Sequence, residues 1–161
     1  MAQSPIGHVA LTSNSETALH TPGELIEIVG SEGLKRFQYV QFDGGAAPVT
    51  AVAGATACWT SATWKGTRVT TDLSDTKANL AAGVLLAVVT DEYYCWVQTR
   101  GYNSSLLTNG DNDAASGDQL WVVGDGTLDS TAAGTAPTYR PVAVAAADDA
   151  ASRVAAFIIL D

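Results

Sequence analysis

Residues 83–101, GVLLAVVTDEYYCWVQTRG, constrain the fold more than any other part of the chain. Valines, leucines and aromatics suit a pleated surface, and Asp91-Glu92 interrupts them with a short polar turn. The stretch reads as a β-hairpin bounded by glycines: an apolar strand, the turn, and a second strand carrying Tyr93, Tyr94, Trp96 and Val97. A chain committed to a hairpin of this kind needs further strands to cover it, because an isolated pair is marginal in water.

The rest of the sequence supplies them. ELIEIV and RFQYVQFD alternate apolar and polar residues around the turn-like GSEG, the period-two signal of half-buried strands. VTAVAGATACWTSATW gives one or two strands interrupted at Gly54, and residues 66–71 give another. GDQLWVVGDG is a strand bracketed by Gly-Asp pairs. PVAVAAA and RVAAFIIL are the last two, with NGDNDAASG and TLDSTAAGTAPT read as loops. DLSDTKANLAA, residues 72–82, is the one candidate short helix, with Asp72 or Ser74 as its cap and Gly83 as its end. Many short strands at regular spacing predict an all-β barrel or sandwich of antiparallel strands with at most one or two short helices.

Residues 1–23 differ from this pattern. They are polar, rich in Ser and Thr, and weakly patterned, and read as an extended N-terminal arm ordered by contact. Residues 24–161 then form a single β-rich domain, a length at which roughly 70% of the unfolded surface is buried on folding.

Charged residues make up only 16% of the chain, against roughly 25% in an average soluble protein. Small neutral residues fill the gap, which suits a protein packed against copies of a partner. The net charge is −9, and the eight cations form no basic stripe, so a nucleic-acid partner is not expected. No apolar run approaches the ~20 residues that span a bilayer, so no membrane partner is expected either. The N-terminus carries no cationic start followed by an apolar stretch, so synthesis in a cytoplasm is expected. Cys58 and Cys95 stand alone in predicted strands and are expected to be free, buried thiols.

The search for chemistry yields no catalytic group, cofactor or metal. His8 and His20 are far from any cysteine or carboxylate cluster with ligand spacing, and no Gly-x-Ser-x-Gly elbow is present. Asp111, Asp113 and Asp118 begin like a calcium loop. Ser116 and Val122, however, stand where that loop requires glycine and glutamate, and aspartates of this kind initiate turns. Trp59, Trp64, Trp96 and Trp121 are the right residue type to stack on sugars, but their apolar neighbours favour packing.

Three segments, WVQTRG ending at Gly101, GDQL from Gly117 to Leu120, and FIIL from Phe157 to Leu160, carry a resemblance. Over roughly its last 80 residues the chain resembles tailed-bacteriophage capsid decoration (cement) proteins of the lambda head-protein-D type. The resemblance implies a non-enzymatic virion protein on the capsid exterior that stabilises the expanded shell, as homotrimers bridging subunits of the major capsid protein. It implies that the arm docks on the shell, with Ile6, Val9 and Leu11 as contacts. Tyr93, Trp96 and Tyr102 are the candidate residues between protomers. Two other readings stand beside it: a tail, fibre or head-tail component, and a carbohydrate-binding β-sandwich.

Overall fold

The computed structural model describes residues 9–45, 51–60, 66–74, 80–110, 114–130 and 140–160. The described chain is all β: ten strands in one mixed sheet, with no α-helix among these residues. In order they are β1 (Leu25–Gly30), β2 (Gly33–Phe42), β3 (Thr56–Trp59), β4 (Arg68–Thr70), β5 (Ala81–Leu85), β6 (Tyr94–Leu107), β7 (Gln119–Gly124), β8 (Thr127–Ser130), β9 (Ala143–Ala145) and β10 (Arg153–Ile159).

The sheet curls into two rings that share β6. In the first, β2 pairs with β4, β4 with β3, β3 with β5, β5 with β6, and β6 again with β2. That circuit is closed, and a closed ring leaves none of its five strands with an open edge. The second runs β6, β10, β9, β7, β8. It returns to the end of β6 through a single bridge from Thr108 to Leu128, where Asn109 N donates to Leu128 O at 3.0 Å. At 14 residues, β6 is long enough to serve both rings.

Each ring has its own core. The first encloses Val40, Phe42, Ala57, Val69, Leu85 and Val97. The second encloses Leu106, Leu120, Val122, Leu128, Val154 and Ile158, joined by Cys58 and Val84 from β3 and β5. Leu85, Leu106, Leu120 and Leu128 are fully buried, each worth about 1.5–3 kcal/mol of transfer free energy. Both cysteines are free and buried, and desolvation pushes both thiols up to about 12.

Strand β6 survives a glycine that the sequence reading placed at its end. Gly101 sits at φ +96°, and a Cβ there would lie 2.4 Å from Leu34 O, so only glycine lets β2 pass this close. The buried Gln98 side chain spans the irregularity. Its Nε2 donates to Arg100 O and Tyr102 O, at 3.2 and 3.0 Å, and its Oε1 accepts from Asn103 Nδ2 at 3.0 Å.

Three local expectations are corrected. The turn at Asp91-Glu92 is present, with Tyr93 N donating to Thr90 O at 3.1 Å, but Val84 pairs with Gln98 and Leu85 with Val97, so residues 86–93 separate the two strands and they do not meet at that turn. TLDS is strand β8, because Leu128 enters the second core and pins turn-forming neighbours into a ladder. Within DLSDTKANLAA, Ala81 and Ala82 belong to β5, and residues 75–79 lie outside the described residues.

Candidate interaction surfaces

Residues 9–23 lie along the outer side of the first ring and cover an aromatic platform. Phe37 and Tyr39 of β2 and Trp96 of β6 are buried there. Val9, Leu11, Ile26, Leu86 and Tyr94 pack against them. Alternation explains the platform. Val40, Phe42, Cys95 and Val97 point into the ring, so their neighbours Tyr39 and Trp96, Cα partners across the β2–β6 ladder, point out together. His20 completes the cluster, with its ring edge-on 5.1 Å from both Tyr39 and Trp96, while Tyr94 stacks on Tyr39 at 6.0 Å.

Few directional contacts hold the arm. Ser15 and Tyr94 exchange backbone hydrogen bonds at 3.0 and 2.8 Å. Leu19 N donates to Tyr39 Oη at 3.1 Å, and Asn14 Nδ2 donates to Val88 O at 2.9 Å. At the exit, Gly23 N donates to Tyr39 O at 2.7 Å, and His20 Nδ1 stands 3.6 Å from Glu24 Oε2. A cavity of about 360 Å³ remains between arm and platform, lined by Val9, Asn14, Leu19, Tyr39 and Trp96 among others. A second, of about 380 Å³, separates Leu11 from Ile28 and Lys35.

The β1–β2 hairpin forms a different surface. Among the described residues strand β1 pairs only with β2, and no described strand lies along its far edge. Leu25, Val29 and Leu34 share one of its faces and are 56%, 80% and 42% exposed; Ile28 is exposed on the other. Lys35 pairs with Glu32 of the turn at 2.6 Å and Arg36 pairs across the strands with Glu27 at 2.8 Å. The outer side of β10 adds Phe157 and Ile159, with Tyr102 edge-on to Phe157 at 5.5 Å.

The six residues singled out from sequence are not gathered at one place. Val9, Leu11 and Trp96 meet at the platform, where Trp96 is 2% exposed and so presents no surface while the arm is seated. Tyr93 packs against the first core. Tyr102 is half-buried beside Phe157, with Lys35 Nζ 5.9 Å from its ring centre. Ile6 lies outside the described residues. The sequence reading missed His20 as a platform member and the hairpin as an open surface. ELIEIV marks the strand, but its apolar content carries no signal that the face stays uncovered.

Asp43, Asp91 and Glu92 bring three carboxylates together. Their charge is already answered: Arg68 bridges Asp43, at 3.2 Å, and Glu92. The backbone N–H of Gly44 donates to Asp91 and that of Gly45 to Asp43. This is a salt-bridged turn. Asp118 likewise accepts from Ala115 N at 3.0 Å as a turn residue; Asp111 and Asp113 lie outside the described residues.

No family model, curated protein or solved structure matches this chain.

Proposed function

We propose that the protein is a non-enzymatic bacteriophage virion protein that binds the outside of a capsid and cements its expanded shell. It works as homotrimers that bridge subunits of the major capsid protein. The open apolar edge of β1 carries this reading. A six-residue strand with an unpaired edge, backed by Leu25, Ile28, Val29 and Leu34, is the kind of element natural proteins usually cover or charge. With no strand beside it among the described residues, it suits strand addition to a partner, in which backbone hydrogen bonds supply affinity.

Two further observations support the reading. The segments that resemble decoration proteins, distant in sequence, come together: residues 96–101 lie in β6, and residues 157–159 end β10, its direct neighbour. Residues 117–120 lead into β7, which β9 separates from β10. The arrangement also fits the energetics of a lattice. A modest contact per copy, repeated over a closed shell and between linked protomers, becomes strong collectively and stabilises the assembled state by mass action.

The sugar-binding alternative draws no support from the tryptophans. Trp59, Trp96 and Trp121 are 6%, 2% and 6% exposed and offer no open indole face; Trp64 lies outside the described residues. The tail alternative differs in copy number. Quantitative mass spectrometry of purified particles is expected to give a fixed ratio near one copy per major shell subunit. A few copies per particle place the protein in the tail or connector, and absence from particles refutes the virion reading.

A further inference from the structure

We infer that the aromatic platform is an exchange site, on which the arm of one copy of this chain replaces the arm of a neighbouring copy. The occupant is fixed by what already sits there. Residues 9–21 supply the apolar side chains Val9 and Leu11, the Ser15 strand bridge to Tyr94 and the His20 ring against Trp96. All of these are recovered when the same segment arrives from another copy. Exchange of an identical element therefore changes only the connection and the concentration dependence, not the contact set.

The anatomy of the arm favours such an exchange. Gly23 N donates to Tyr39 O and Glu24 N donates to Thr21 O, so swinging the arm out at Thr21 and Pro22 opens that one turn and leaves the β1–β2 ladder in place. The cavities of about 360 and 380 Å³ on its two sides leave it loosely packed, unlike either core. Its reach sets the geometry. Residues 9–20 lie on the receiving platform, so residues 21–23, about 10 Å when extended, carry the arm across. Exchange therefore brings the two platforms together beside the pivot. The pivot also lies beside the open edge of β1, where a neighbour has apolar surface to rest on.

A tethered arm competes at an effective concentration of about a millimolar. The closed form therefore dominates in dilute solution, and exchange takes over where copies are crowded. This inference does not rest on the capsid reading and is tested on the pure full-length chain. The variants Ser15→Cys and Tyr94→Cys are mixed, oxidised and run on a non-reducing gel; the buried Cys58 and Cys95 remain unreactive. Asn14→Cys with Val88→Cys is a second pair, because Asn14 touches Val88 directly. The control pairs Ser15→Cys with the distant Ser116→Cys. Exchange predicts covalent dimers in both test pairs, at least tenfold above the control near about 1 millimolar and close to it near about 10 micromolar. Interchain bonds no more frequent than the control in both pairs, at every concentration, overturn the inference.

Discussion

The β1–β2 hairpin and the first half of β6 look alike as sequence and differ as structure. LIEIVG and YCWVQT both alternate apolar side chains along a strand. In β6, ring closure covers one face with Val40 and Leu85, and the arm covers the other, so residues 95–99 are buried throughout. In β1 no described residue covers either face fully, and Val29 is 80% exposed. Period-two patterning says which side chains point the same way; it does not say whether anything faces them. On this account the covered strand holds the fold together and the open one is for a partner.

The largest effect is expected in the covered region. Leu106→Ala, deep in the second core at the far end of β6, should lower unfolding free energy by about 2–5 kcal/mol, read by denaturant titration. A loss below about 1 kcal/mol would mean that the second ring is not a packed core and would remove one side of the contrast. Gly101→Ala comes next. Its φ of +96° and the approach of Leu34 O predict a loss of about 1–3 kcal/mol, and a neutral result would show that β2 and β6 do not cross as described.

Thiol reactivity sharpens the same contrast without a substitution. Burial raises both cysteines from 9.0 to about 12, so the folded chain keeps them protonated while the unfolded chain ionises above pH 9. Their contribution to stability is therefore full below pH 9 and declines between pH 9 and about 12. Native protein at pH 8 should take up no thiol reagent until denatured; prompt labelling would show that the rings open. The smallest stability effect belongs to the open edge. Val29→Ser and Leu34→Ser should each shift stability by no more than about 0.5 kcal/mol, because there is little burial to lose. A loss of several kcal/mol would make the hairpin part of the core.

The strands were legible because valines, aromatics and glycine punctuation act locally. β7, β9 and β10 lie within segments read as strands, while β1 and β2 overlap theirs, with β2 starting three residues early, at Gly33 in the turn-like GSEG. Connections were not legible. The Val84–Gln98 pairing is set by ring closure through β3 and β2, which no local pattern encodes, and TLDS looked like a loop until Leu128 found a core. The platform was half legible. Trp96 stood out as an aromatic, but its covering by His20 and Leu11 depends on where the chain before Gly23 returns. Exposure of Leu25 and Val29 could not be read at all, since it reflects what is absent beside them.

The contrast converges on one experiment: sedimentation of the wild-type chain and of a Val29→Ser, Leu34→Ser double variant with expanded, undecorated shells, after confirming that both melt alike. The account predicts that the wild type saturates at a fixed ratio to shell subunits and that the equally stable variant stays in the supernatant. A variant that binds as well as the wild type, or a wild type that does not bind, would contradict it.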